Sequence, residues 1–283
     1  MAGTLYLIGT PIGNLEDMTY RGVRILRSVN LIAAEDTRTS RCLLDKYEIT
    51  TPLVSYHKFN EEAKGDALLN RLLDGEDIAL ITDAGMPAIS DPGEVLVRKC
   101  RENHVAVTAV PGPSACITAL ALSGCDARSF VYEGFLPQDN RGKKAVLQRM
   151  EEETRTMIFY EAPHRLVKTL LAFRDVLGGD RHVVLCRELT KRFEEVSRMT
   201  IEEALAAAEE KEPRGEYVVI VEGMSGDEQA AKKAAAYAET DLASHVAMYE
   251  ARGMSRKDAM KAAAKDRGIS RRDVYAALLK EQE

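Results

Sequence analysis

Four short stretches hold the residues best suited to chemistry, each directly after an apolar run: residues 9–14 (GTPIGN), 35–41 (EDTRTSR), 82–93 (TDAGMPAISDPG) and 111–115 (PGPSA). Gly, Pro and Ser shape tight loops, and Glu35, Asp36 and Asp83 add carboxylates. Two common ligand assignments fail. A P-loop needs G-x-x-x-x-G-K-[ST], and no Gly in these loops is followed by Lys-Ser or Lys-Thr. A dinucleotide site needs G-x-G-x-x-G, whereas the first loop reads Gly9-Thr10-Pro11-Ile12-Gly13. Pro11 also removes a backbone donor that a diphosphate would use. A ligand held by backbone carbonyls and one carboxylate fits better. Asp83, at a strand end, is placed to hydrogen-bond a hydroxyl or an amine. Asp91-Pro92-Gly93 reads as the cap of the next helix.

The elements that must position these loops follow from hydrophobic periodicity. In the first half, strands TLYLIG, LIAAED, LVSYH, DIALITD and AVTAVPG alternate with helical patterns over residues 19–29, 61–74 and 93–103. Strands alternating with helices predict βαβ units and a mainly parallel sheet. Loops at the carboxyl ends of such strands line the ligand crevice. The second half starts with a small-residue helix over 114–123, where Cys116 serves packing, and a charged helix over 142–153 follows. Its strands FVYEGF, TMIFYEAPHR, HVVLCRE and GEYVVIVEG are longer and less strictly βαβ, which predicts a mixed sheet. The expected fold is α/β, with domains at 1–113 and 114–225.

A polar, Ala-rich linker is expected over 226–240, then a small helical segment over 241–283. There Ser255 with Asp258 and Ser270 with Asp273 form S-x-x-D helix starts, separated by Gly268. Two helices joined by a Gly turn have a helix-turn-helix shape. Nine basic residues against seven acids give this segment +2, leaving −8 for the rest of a chain whose net charge is −6. It is either a solubilising cap or a nucleic-acid contact.

The acidic total argues against global nucleic-acid affinity through counterion release. Five scattered cysteines without a CxxC pair predict neither a disulfide framework nor a zinc site, so no metal is expected. A leader with no basic region and no run approaching ~18 apolar residues predict a cytoplasmic protein without a membrane partner.

Taken in order, GTPIGN, TDAGMPAISDPG and VPGPSA resemble the tetrapyrrole methylase family, the class III S-adenosylmethionine methyltransferases. AEDTRTS, YEAPHR (160–165) and CRELTKRFEE (186–195) are similar to its branch of bacterial 16S ribosomal RNA cytidine-2′-O-ribose methyltransferases. The resemblance covers essentially the whole chain. It implies two α/β domains with S-adenosylmethionine in the cleft between them, a homodimer, and ribosomal RNA or the small ribosomal subunit as partner. Matched residue by residue, the cofactor contacts fall on Pro11, Ile12, Ile81, Thr82, Asp83, Met86, Ser114, Ala115, Glu161 and Leu189. The chain departs from the family where Asp83-Ala84-Gly85-Met86-Pro87 replaces Gly-Asp-Pro, and where Ile12 replaces a Pro.

Methyl transfer to a ribose hydroxyl needs alignment, worth ~7–11 kcal/mol, and a base or cation beside the acceptor oxygen. The candidates are Asp36, His57, Glu161, His164, Glu188 and Lys191, with Asp36, Glu161 and Lys191 the catalytic expectation. Arg38, His57, Arg165 and Arg187 are expected to grip substrate, within a basic patch that includes Lys191 and Arg192. Arginine suits bidentate phosphate contacts. Two other readings are open: a small-molecule methylase acting on a tetrapyrrole-like macrocycle, and a ribosome-binding factor without catalysis.

Overall fold

A computed structural model describes residues 1–280. The last three positions, with Glu281 and Glu283 of the tail's charge balance, lie outside the described residues. The chain is α/β throughout its first 221 residues and helical after that.

Five short strands open the chain: β1 (Thr4–Ile8), β2 (Leu31–Ala34), β3 (Leu53–Ser55), β4 (Ile78–Ile81) and β5 (Ala106–Val110). All pair in parallel, in the order β3-β2-β4-β1-β5. Between them run α1 (Tyr20–Ser28), α2 (Thr37–Lys46), α3 (Glu61–Leu73) and α4 (Glu94–Glu102). Every residue of β2 and β4 is buried, as expected for parallel strands covered on both faces. One face packs Leu5, Tyr56, Leu68 and Leu96; the other packs Ile8, Leu26, Ile32 and Leu44. The stretch 35–41, predicted as a loop, turns helical from Thr37. Asp36 is the N-cap, its Oδ1 accepting from the Arg38 amide at 2.8 Å, and Leu43 and Leu44 anchor the helix from below.

After α5 (Ala115–Ser123) comes the second sheet, formed by β6 (Phe130–Phe135), β7 (Thr156–Glu161), β8 (His182–Arg187), β9 (Glu195–Thr200) and β10 (Tyr217–Val221). Its order is β6-β7-β10-β8-β9, with only β6 and β7 parallel, so the sheet is mixed as predicted. The helices α6 (Asn140–Met150), α7 (Pro163–Leu177) and α8 (Ile201–Glu210) cover one face around Phe159, Leu170, Phe173 and Val219. The Phe159 and Phe173 rings lie 4.9 Å apart and both are fully buried. Truncating either to Ala costs about 3–5 kcal/mol. The other face packs α5 through Cys116, Ala119 and Leu120, and it also receives Ile12 from the first loop.

The predicted linker is largely a helix, α9 (Gly226–Ala236), with a complete capping box between Ser225 and Glu228. The tail contains α10 (Leu242–Glu250), α11 (Arg256–Asp266) and α12 (Arg271–Lys280), one helix more than predicted. Ser255 caps α11, and the Asp273 amide donates to Ser270 Oγ at 3.1 Å. Leu242, Val246, Ala259, Met260, Ala263, Ala264, Val274 and Leu278 form the tail's own small core. No helix among the described residues is long and apolar enough to cross a membrane.

Candidate active site

The helices that follow β1 and β4 pack on opposite faces of the first sheet, and the loops leaving these two strands line the space that faces the second sheet. The loops that follow are tied together. Thr10 and Gly85 exchange backbone hydrogen bonds at 2.9 and 3.1 Å, and the buried Thr10 Oγ1 donates to the Thr82 carbonyl at 3.0 Å. The loop after β5 joins them by close backbone approach. A Cβ on Gly9 would meet Gly112 Cα at 2.9 Å, and one on Gly112 would meet Gly9 Cα at the same distance. Here the glycines of GTPIG and PGPSA are required by contact rather than by turn geometry.

Between the two halves lies a cavity of about 480 Å³, the size of a small-molecule site. One wall comes from Ile12, residues 84–86, residues 89–91 and the start of α5 at Ser114 and Ala115. The facing wall comes from Phe135, residues 160–164, Cys186, Leu189 and residues 216–218. The walls are joined by Ser90 Oγ to Tyr132 OH at 2.6 Å and by the Asn14 amide donating to Thr190 Oγ1 at 3.1 Å. Aromatic edges build much of the far wall: Tyr160 meets Phe135 at 5.7 Å and Tyr132 at 5.3 Å. Ser114, the N-cap of α5, makes no side-chain cap bond. The positive end of that helix therefore borders the cavity without an internal acceptor from its cap side chain.

Of the ten predicted cofactor contacts, Ile12, Met86, Ser114, Ala115, Glu161 and Leu189 line the cavity. Pro11, Ile81 and Thr82 are buried behind it, shaping the loops, and Asp83 lies to one side, exposed. Asp83 Oδ1 accepts from the Asp36 amide at 3.2 Å.

The predicted catalytic residues occupy different settings. Asp36 bonds Arg38 Nη2 at 2.7 Å, and this partner holds its carboxyl down at about 2. Glu161, its side chain fully buried, accepts from Thr169 Oγ1 at 2.6 Å and from the Ala162 amide at 2.8 Å, with Arg165 Nε at 3.4 Å. Lys191 is held between Glu188 at 3.0 Å and Glu216 at 2.8 Å. Burial disfavours its charge, but the two carboxylates outweigh that and raise its pKa. Burial likewise pushes Glu188 up, and its bonds from Lys191 and the Glu216 amide leave it lowered. None of the three is a free base.

The predicted substrate residues are also engaged. Arg38 is exposed and paired with Asp36. Arg165 Nη2 donates to the Leu136 carbonyl at 2.6 Å. Arg187 Nη1 donates to Glu195 at 3.1 Å. The Arg192 guanidinium lies 5.6 Å from the Phe193 ring centre. The His57 amide is bonded by Asn60, its Nδ1 is buried without a partner, and its ring meets Phe59. His164 lines the cavity while exposed.

The sequence reading missed Asp91. The cap of α4 is Gly93, without a side-chain bond, and Asp91 lines the cavity instead. Left-handed residues at Ala88 (φ 66°) and Ser90 (φ 65°) fold the loop back so that this carboxylate faces the ligand space. Burial raises its pKa to about 7, and Glu35 and Asp83 push the same way. Glu35 is raised by burial and then by Asp83; burial also raises Asp83. Among the described residues no Lys or Arg pairs with any of these three carboxylates. The signal was a second carboxylate nine residues into a loop that has to return to the sheet.

A parallel sheet and a mixed sheet enclose a cleft at their strand ends, the arrangement of a two-domain α/β fold. The family model of tetrapyrrole (corrin/porphyrin) methylases matches residues 4–205, and the chain belongs to that family. It is 46% identical over 273 residues to the ribosomal RNA small subunit methyltransferase I of Halalkalibacterium halodurans, covering 96% of this chain and 93% of the relative. It is 45% identical to the protein of the same name from Bacillus subtilis, covering 97% and 94%. Among solved structures, a cobalt precorrin-4 methyltransferase shares the fold with TM-score 0.58 and 19% identity, covering 77% of this chain and 94% of that one. A uroporphyrin-III C-methyltransferase from Thermus thermophilus gives 0.57 and 17%, covering 78% and 97%.

Proposed function

We propose that the protein transfers a methyl group from S-adenosylmethionine to the 2′-hydroxyl of a cytidine in small-subunit (16S) ribosomal RNA. The observation that carries this reading is the interdomain cavity combined with near-half identity, over almost the whole chain, to enzymes named for small-subunit ribosomal RNA methylation. The residues present suit the donor. The start of α5, where Ser114 makes no side-chain cap bond and Tyr160 OH takes only the Cys116 amide at 3.2 Å, offers the Ser114 and Ala115 amides to its carboxylate. Ile12, Leu189, Tyr160 and Phe135 offer apolar and aromatic surface to its adenine.

When bound, S-adenosylmethionine supplies an electrophilic methyl group. The protein itself has to align the acceptor oxygen and take its proton. Asp91 is the base best suited to that proton transfer. It faces the cavity, no Lys or Arg among the described residues pairs with it, and its pKa of about 7 matches neutral operation. Asp36, Glu161 and Lys191 then serve positioning. Asp36 starts α2 beside the mouth, Glu161 fixes the turn into α7, and Lys191 braces the loop after β8 against Glu216. The homodimer and a cytoplasmic site of action belong to the same proposal.

The test is to map 2′-O-methyl groups on 16S ribosomal RNA from cells lacking the protein, then add it back with S-adenosylmethionine. One cytidine should lose the mark and regain it on subunits. No change at any 16S position would sink the proposal.

A further inference from the structure

The three-helix tail spends all of its described acids internally. Asp241 Oδ1 accepts from the Ser244 amide at 2.8 Å, and Asp258 and Asp273 bond Ser255 and Ser270 at 2.6 and 2.7 Å. Glu250 pairs with Arg256 at 3.7 Å. Asp266 accepts from Tyr249 OH and lies 3.5 Å from the buried His245 ring. Arg267 is occupied too, donating to His245 Nδ1 at 3.1 Å and to the carbonyls of Thr240 and Asp241. Arg252 lies over the Tyr249 ring.

Among the described side chains five cations are left over: Lys257, Lys261 and Lys265 on α11, and Arg271 and Arg272 at the start of α12. All five are exposed, and among the described residues none pairs with an acid. Steps of four residues place the lysines on one flank of α11, about 6 Å apart, as a stripe about 12 Å long. The core positions Ala259, Met260, Ala263 and Ala264 take the other flank. Arg271 and Arg272 follow the stripe along the chain, after the turn at Gly268, at the start of α12.

We propose that the Lys257–Lys261–Lys265 stripe, continued by Arg271 and Arg272, docks on the phosphate backbone of ribosomal RNA and holds the particle while the cleft works on the nucleotide. This rests on the function proposed above. The occupant follows from charge: a chain of net −6 repels a polyanion, and the tail at +2 is its basic part. Lysines act as mobile point charges, which suits a backbone contact that carries no base sequence.

The test uses the full chain with Lys257→Glu, Lys261→Glu and Lys265→Glu together, and a milder Lys→Gln triple variant should the reversal impair folding. Binding of purified small ribosomal subunits is measured by co-sedimentation between 50 and 200 mM salt, with methyl transfer measured in parallel. At about 100 mM salt the reversed variant should bind subunits at least tenfold more weakly. Its salt slope should fall by about 2–3, since each lost phosphate contact removes roughly 0.7–0.9. The Gln variant should lie between it and the wild type. S-adenosylmethionine affinity and kcat at saturating subunits should stay unchanged. Unchanged subunit affinity and slope would overturn the proposal. So would a charge-dependent loss confined to phosphatidylglycerol vesicles, or a loss of dimer mass in light scattering with subunit binding intact. Wild-type protein that binds subunits through the stripe but methylates none would instead count against the proposed reaction.

Discussion

The two walls of the cleft treat their carboxylates in opposite ways. On the first side Asp91 lines the cavity, with Glu35 and Asp83 beside it; none of the three has a Lys or Arg partner among the described residues, and all three are raised. On the second side Glu161 and Glu216 line the cavity: Glu161 has Arg165 and Thr169, and Glu216 shares Lys191 with Glu188, while Glu195 holds Arg187 nearby on the same sheet. Burial raises the three carboxylates of the first side, and the backbone hydrogen bonds there do not offset it; on the second side cations sit against the carboxylates. Asp91, at the cavity and with its pKa raised to about 7, is placed to exchange a proton near neutral pH; a carboxylate clamped by a cation holds backbone in place. The first wall therefore supplies the proton chemistry and the second supplies rigidity.

The contrast breaks most sharply at Asp91. Asp91→Asn should lower the methyl-transfer rate by about 10²–10⁴-fold, the usual contribution of a positioned base, with S-adenosylmethionine affinity changed far less by calorimetry. A second-wall variant should show the reverse pattern. Glu161→Ala strands Arg165 and Thr169 in a buried site and should cost about 3–5 kcal/mol in urea unfolding, so that activity falls with the folded fraction. Gly112→Ala tests the seam between the loops: its Cβ would meet Gly9 backbone, and a loss of about 1–3 kcal/mol is expected.

A smaller effect tests the electrostatics of the first wall directly. The pKa of Asp91 is raised from 3.8 to about 7, so the native state holds its proton more tightly than the unfolded chain. The associated stability is present below pH 4 and lost as pH rises through about 7. Asp91→Asn avoids that loss. It should unfold at higher denaturant than the wild type at pH 8, by about 1–3 kcal/mol after allowing for partial solvation, and equally at pH 3.5. The smallest effect is expected at Asp36. Solvent screens its pair with the exposed Arg38 and Asn keeps the cap of α2, so Asp36→Asn should leave the pH dependence of methyl transfer unchanged.

Much of this was legible in the sequence, and the failures have physical causes. Alternating apolar runs located the parallel strands, because strands buried on both faces must be continuously apolar. The longer strands of the second half marked its mixed sheet. The loops at 9–14, 82–93 and 111–115 were found because Gly and Pro punctuate strand ends. The start of α2 was hidden because Thr-Arg-Thr-Ser has weak helix propensity, and burial of Leu43 and Leu44 overrides it. The helix α10 was missed because its buried face carries a histidine, His245, between Leu242 and Val246. Asp91 was assigned to a helix cap because Asp-Pro-Gly before a helix has that local meaning. Its place at the cavity depends on left-handed residues at 88 and 90, which non-glycine sequence does not announce.

The most direct measurement is single-turnover methyl transfer from S-adenosylmethionine to purified small ribosomal subunits, from pH 5.5 to 9, for the wild type and Asp91→Asn. The wild-type rate should rise with pH, bend near 7 and level off, and the variant should be flat and at least 100-fold slower. A variant that keeps the wild-type rate and the bend near pH 7 would contradict the assignment of proton chemistry to the first wall.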